Sequence, residues 1–247
     1  MGNDESVSHA AQCPEGASHW FPANEPGLCT VIGRHAWLGS SLRYDWPGVT
    51  VSFQTVGSSC VWARIDGSRN LFKLTVSTLP EDRVLSQRVL KLNTGISTVL
   101  LAENLPLDVT VCIELVKRTE AQASNLIGQA TGVVELEGIY LSAHNAIDAG
   151  GRVARGERVI EFIGDSDTAA FGIEGKQTSL MNITSMDLTK QDASKSWVVY
   201  VANSFDADPI NVSYSGIGAV YNAPMVGIDP MRQIWNRLVC ADHTTAR

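Results

Sequence analysis

The chain has 247 residues, 44% hydrophobic and 18% charged, with a formal net charge of −7. Such a composition is globular, and the length suits one large or two ordinary domains. The acidic balance argues against a nucleic-acid partner, which needs a basic face. No apolar run approaches the roughly 18 residues of a membrane-spanning helix, so no membrane partner is expected.

Met1 to Ala11 is polar and acidic and lacks the basic start and apolar centre of a secretory signal. Either the chain is intracellular or its true start lies upstream, so the compartment stays open. Residues 1–28 read as a loosely held lead-in, with Trp20 and Phe21 as possible anchors. Residues 29–147 then show short runs rich in β-branched and aromatic residues. These are Val49–Val56, Ser59–Ile65, Leu71–Val76, Thr98–Ala102, Val109–Val116 and Val133–Leu141. Turn signals separate them, among them Pro47-Gly48, Asp66-Gly67 and Leu105-Pro-Leu-Asp108. Several alternating runs at short spacing, with no helical stripe, predict an all-β sandwich.

The five cysteines, Cys13, Cys29, Cys60, Cys112 and Cys240, show no C-x-x-C spacing, so no metal or redox site is expected. Cys60 and Cys112 fall in apolar runs and read as buried small hydrophobes; Cys13 and Cys29 could pair in an oxidising compartment. Asn182-Ile-Thr and Asn211-Val-Ser match the glycosylation tripeptide, a pattern common by chance. No cofactor is called for.

A Gly- and Arg-rich stretch at 148–157 reads as a linker, and the style then changes to α/β over 158–247. Val159–Ile163, apolar but for one Glu, reads as a buried parallel strand ending at Gly164-Asp165-Ser166. That step puts a serine hydroxyl at the carboxyl edge of a sheet, where ligands of α/β sheets bind. Two readings stay open on these residues alone: a nucleophile with backbone donors for an oxyanion, or a strand-to-helix turn whose Ser or Asp caps the next helix. Lys190–Phe205 has strand propensity at Trp197–Ala202. It lies between two expected parallel strands, however, so a crossover helix is predicted there. Pro209–Tyr214 is the second strand, with Ser215-Gly-Ile-Gly218 at its carboxyl end.

Gly164-Asp-Ser-Asp-Thr-Ala-Ala-Phe-Gly172 resembles the first block of the SGNH (GDSL-type) hydrolases, and Ser215-Gly-Ile-Gly218 resembles the second. The chain from about Ile32 onward is most similar to carbohydrate esterase family two, the acetyl-xylan-esterase-like enzymes. That family joins a jelly-roll β-sandwich to an SGNH domain of three-layer, flavodoxin-like α/β/α type. Ile32-Gly-Arg34, Tyr44-Asp-Trp-Pro-Gly48, Asp66-Gly-Ser-Arg-Asn70 and Val116-Lys-Arg-Thr-Glu120 carry the resemblance in the sandwich.

The resemblance implies a serine esterase removing O-acetyl groups from a polysaccharide of xylan or mannan type, usually secreted. Ser166 would be the nucleophile. Its N–H and that of Gly218, with Gly216 as the alternative, would form the oxyanion hole, and Asp165 would hold the loop. Asp167 stands where the family often has an apolar residue. The family's Gly-x-Asn-Asp and Asp-x-x-His steps are not present in the 247 residues. His9, His19, His35 and His144 precede the hydrolase part, and His243 sits in a polar tail directly after Asp242. The expectation is therefore a partial SGNH domain, C-terminally truncated, with impaired activity and an open strand edge that invites self-association. The alternative is a carbohydrate-binding or interaction protein that keeps only the sandwich's function. Trp46, Trp197 and Trp235 read as packing residues. Lys117, Arg118 and Glu120 read as ion pairs, either solvated or between domains.

Overall fold

Alternating apolar side chains give two sheets one shared interior. The computed structural model describes residues 15–122, 130–142, 158–175, 188–224 and 226–245. Its first part holds β1 (His19–Pro22), β2 (Thr30–Ile32), β3 (Ala36–Leu38), β4 (Ser41–Tyr44), β5 (Thr50–Thr55), β6 (Val61–Asp66), β7 (Leu71–Leu79), β8 (Arg83–Lys91), β9 (Ser97–Ala102), β10 (Thr110–Lys117) and β11 (Val134–Leu141). One sheet runs β3-β4-β11-β6-β9, with β1 also paired to β11; the other runs β2-β5-β10-β7-β8. Their pairings are antiparallel. Val61, Ala63 and Ile65 of β6 share one buried core with Phe72, Leu74 and Val76 of β7 and Val111, Ile113 and Leu115 of β10. Each large side chain of this set contributes about 1.5–3 kcal/mol by leaving water. A one-residue slip would turn a whole strand's set outward, so the register is strongly fixed.

This β-sandwich agrees with the expected one, and the described residues 29–122 and 130–142 contain no helix. Some of its strands carry no sequence signal. β2, β3 and β4 have three or four residues, too few to show alternation. β8 is an edge strand whose residues are nearly all exposed, Val84, Leu85 and Val89 included, so it carries no buried-face pattern. The lead-in also differs from expectation in its described part. β1 pairs with β11, and Ala23 and Leu28 are buried in the sandwich core. Phe21 packs against that core, and Trp20 stacks at a tilt on Tyr140, ring centres 4.6 Å apart. Cys29 is a free thiol, so the Cys13–Cys29 pairing is not formed; Cys13 itself lies outside the described residues. Cys112 is buried as expected, whereas Cys60 is only half-buried.

The second part holds β12 (Arg158–Gly164), α1 (Ser166–Ala169), α2 (Trp197–Ser204), β13 (Ala207–Ser213) and α3 (Met231–Ile234). β12 and β13 are parallel neighbours, in register from Arg158 opposite Ala207 to Gly164 opposite Ser213. The chain between them forms the expected crossover. It makes two short 3₁₀ turns, Leu188–Lys190 and Ala193–Lys195, before α2. Ser196 starts that helix by accepting from the Val198 N–H at 3.3 Å. Val198 and Ala202 bury one face of it against Phe162 of β12. Crossover topology thus overrides the strand propensity of Trp-Val-Val-Tyr-Val. Strand β13 begins two residues earlier than predicted and includes Pro209; among the described residues it pairs only with β12, and proline is tolerated in such an edge strand.

Two tryptophans depart from expectation. Trp197 and Trp235 are each nearly half exposed rather than core. Trp197 opens α2 at the rim of the sheet and meets Phe162 only edge-on. Trp46 is fully buried, as a packing residue should be. Asn211 of the second glycosylation tripeptide is buried and its amide donates to the Thr168 carbonyl at 2.9 Å, so it does not serve as an acceptor. Asn182 and the predicted linker at 148–157 lie outside the described residues. Among the described residues, no helix is long and apolar enough to cross a membrane.

Candidate active site

Ser166 sits at the carboxyl edge of β12, as the first residue of the single-turn helix α1 rather than in an open turn. This geometry is compatible with both readings of the Gly-Asp-Ser step. Asp165 is the N-cap, its carboxylate accepting from the Asp167 N–H at 3.3 Å, and Ser166 follows at the first helical position. A residue there has an N–H with no partner inside the helix. Asp165 thus holds the loop, and Asp167 is exposed to solvent.

The turn is fixed from below. The Thr168 carbonyl accepts from Asn211 Nδ2 at 2.9 Å and from Ser196 Oγ at 2.8 Å. Asn211 is in turn fixed by Ser213 Oγ at 2.5 Å. Gly164 is required because a Cβ there would lie 2.1 Å from Thr168 Oγ1. Ala170 closes the turn in the left-handed region, and the Phe171 N–H returns to the Ser166 carbonyl at 3.0 Å. Ser166 itself is half-buried, and among the described residues its hydroxyl makes no hydrogen bond.

The second glycine loop leaves β13 beside it. The Tyr214 N–H reaches the Gly164 carbonyl at 3.4 Å, so the two strand ends stay joined up to the residue before each loop. Tyr214 to Ile217 is a tight turn closed at 3.2 Å, with Gly216 at φ +76° in its third position. A β-carbon there is strained and would meet Val226 Cγ2 at 2.7 Å. The two candidate donors differ. The Gly218 N–H is taken by Asn222 Oδ1 at 3.0 Å, whose amide is in turn held by the Ile228 carbonyl. The Gly216 N–H has no acceptor among the described residues.

No base stands beside Ser166 among these residues. His19 bonds Ser18 Oγ, and His35 bonds the Gly33 carbonyl. His243 is exposed, on a segment tied by the Leu238 N–H to the Thr245 carbonyl at 2.7 Å. It lines a shallow cleft with Asp229, Arg237 and Cys240, apart from Ser166. His9 and His144 lie outside the described residues. A cleft of about 240 Å³ between the sandwich and α2, lined by Lys73, Glu114 and Asp208, contains neither Ser166 nor Gly216.

What the sequence left open is how the sandwich grips this edge. Arg34 is buried and its guanidinium bonds Glu161 of β12 at 2.8 Å, the Arg237 carbonyl at 3.0 Å and the Trp235 carbonyl. Asp45 accepts from the Cys240 and Ala241 N–H groups at 2.7 and 2.9 Å, and Trp46 Nε1 donates to the Arg237 carbonyl at 3.2 Å. Arg118 pairs with Asp192 at 3.3 Å. Lys117 is fully buried, its ammonium donating to the Thr119 and Glu120 carbonyls at 2.5 and 3.2 Å. Glu120 accepts from the Ser215 N–H at 2.7 Å. These charges join the sandwich to the α/β unit and are desolvated, so the solvated alternative is set aside. Burial pushes Lys117 down to about 7 and the Asp45 and Glu120 carboxyls up, while attraction between the ammonium and the two carboxylates opposes each shift.

No family model matches the chain, and no curated protein matches it. Solved structures do. A family two carbohydrate esterase from Cellvibrio japonicus superposes with a TM-score of 0.72 at 20% identity, covering 93% of this chain and 62% of that one. A family two carbohydrate esterase from Clostridium thermocellum, solved with cellohexaose, gives 0.70 at 21% identity over 89% and 61%. The acetyl xylan esterase Est2A from Butyrivibrio proteoclasticus gives 0.68 at 17% identity over 90% and 56%. The chain has the fold of these carbohydrate esterases over about six-tenths of their length.

Proposed function

We propose that this chain carries the sandwich and the nucleophile-bearing βαβ unit of an SGNH-type serine esterase that removes O-acetyl groups from polysaccharide. One observation carries the reading: Ser166 and Gly216 leave the adjacent carboxyl ends of two parallel strands, each with a backbone N–H to spare. Ser166 Oγ would attack the acetyl carbonyl, its proton passing to a base as the C–O bond forms. The oxyanion would accept from the N–H groups of Ser166 and Gly216. Collapse would expel the sugar hydroxyl, and water would then release acetate from the acetyl-serine. We take Gly216 rather than Gly218 as the second donor because Asn222 already occupies the Gly218 N–H.

The absence of a histidine on Ser166 among the described residues favours a second reading, a carbohydrate-binding protein without turnover. Acetylated xylan separates the two. Slow acetate release that disappears in Ser166→Ala supports the esterase. Retention on the polysaccharide, with acetate release unchanged by that substitution, supports the binding protein.

The outer edge of β12 is unpaired among the described residues, and Val159 and Ile163 are more than half exposed on it. Such an edge is a template for another strand. The 247-residue polypeptide is expected to associate with itself through it. Sedimentation velocity should show a concentration-dependent rise that Ile163→Lys abolishes; a monomer at all concentrations would refute this.

A further inference from the structure

We infer that Glu120 of the sandwich is a positioning residue for the Ser215–Gly218 loop, so the sandwich sets the geometry of the acyl-transfer site as well as flanking it. This rests on the reading of Gly216 as an oxyanion donor. The bond from the Ser215 N–H to Glu120 Oε2, 2.7 Å long, is made at the residue directly before Gly216. It is charge-assisted and shielded, since Glu120 is only 4% exposed.

Glu120 is itself held on every side. Its N–H donates to Gln191 Oε1 at 3.0 Å, and Gln191 precedes Asp192, the partner of Arg118. Its carbonyl accepts from Lys117 Nζ and from Thr131 Oγ1 at 3.3 Å. The preceding Thr119 hydroxyl donates to Asn70 Oδ1 at 2.7 Å, and Asn70 Nδ2 closes the β6–β7 turn on the Gly67 and Gly132 carbonyls. The carboxylate therefore reaches the loop from a rigid mount. On the far side the loop is held at Gly216 O by the Ala223 N–H at 2.8 Å, at Gly218 O by the Met231 N–H at 3.0 Å, and by the Asn222 contacts. With Glu120 removed, nothing else described holds the Ser215 N–H, so the peptide that leads into Gly216 loses its fixed orientation.

The test reads the loop and the chemistry separately. Amide hydrogen exchange is measured in the 247-residue chain with Glu120→Ala, Glu120→Asp and Glu120→Gln. Glu120→Asp removes the reach with little loss of volume and serves if the Ala variant does not fold. Glu120→Gln keeps an acceptor oxygen. Exchange at Ser215 should quicken on the order of ten-fold or more in Ala and Asp, with the amides of β5, β7 and β10 unchanged. The Gln variant should fall back toward the wild type. In parallel, acetylation of Ser166 by 4-nitrophenyl acetate should slow on the order of a hundred-fold in Ala and Asp, through the rate constant and not the half-saturating ester concentration. Exchange at Ser215–Gly218 equal to the wild type in the Asp variant overturns the inference. If Ser166 is not acetylated even in the wild type, the esterase reading falls, and the exchange data still decide the role of Glu120.

Discussion

Replacing Lys117 by Met should cost about 3–5 kcal/mol at neutral pH, a large part of the stability of an ordinary domain. The side chain lies wholly inside the junction of sandwich and α/β unit, between Asp45 and Glu120. Methionine fills the volume but leaves two buried carboxylates without their shared cation. The pH dependence identifies the cause. In the wild type burial raises both carboxyls, and Lys117 opposes that rise. Without it they rise further. A carboxyl whose folded pKa exceeds its unfolded value binds more protons folded than unfolded, so its contribution is present at low pH and lost as pH climbs. Lys117 runs the same way by another route. Its folded value, about 7, lies below the unfolded one, so the wild type gains stability above about pH 7, a gain that the Met variant lacks. The deficit of Lys117→Met should therefore be smallest near pH 5 and grow continuously toward pH 9. Urea titrations at several pH values measure it. A deficit that shrinks with rising pH, or no deficit, would contradict the picture of a buried charge cluster.

Legibility in the sequence follows burial. β5, β6, β7, β10 and β11 each bury a face in the core, and the apolar runs that form them are readable from the residues alone. β8 is exposed but for Leu90, and β2 to β4 are too short to show a period, so pattern reasoning passes over them. The βαβ unit is readable from topology more than propensity: Trp197–Ala202 favours a strand, yet a parallel pair needs a crossover. Ser166 and the two glycines stand out because they directly follow apolar runs, where a sheet ends and its carboxyl edge opens. The junction does not stand out. Arg34, Asp45, Lys117 and Glu120 all lie within the four stretches that carry the family resemblance in the sandwich, or beside them, but a charged residue at a strand end looks the same whether water or another part of the chain covers it. The only signal is the density of charge directly after the apolar run Val109–Val116. Asn222, which takes the Gly218 N–H, lies four residues along the chain with no motif to mark it.

The second large effect concerns turnover. Within these 247 residues Ser166 has no described histidine to take its proton, and the serine hydroxyl alone is a weak nucleophile at neutral pH. Losing the base of such a constellation costs on the order of 10⁶ in turnover, and loss of a further oxyanion donor does not simply multiply it. On the proposed esterase reading, positioning and the oxyanion donors would supply residual catalysis, about 10³–10⁴ over water in serine proteases stripped of their triad. The expected result is therefore slow, saturable acetyl transfer onto one residue and still slower release.

The most direct test of a nucleophilic Ser166 is where the acetyl group goes. The 247-residue chain is incubated with 4-nitrophenyl acetate, digested, and the modified residue located by tandem mass spectrometry, beside Ser166→Ala. The predicted result is a single acetyl ester on Ser166, absent from the variant and removed by hydroxylamine. Acetylation confined to lysine side chains and identical in the two proteins would show that the serine at the end of β12 is only a helix start.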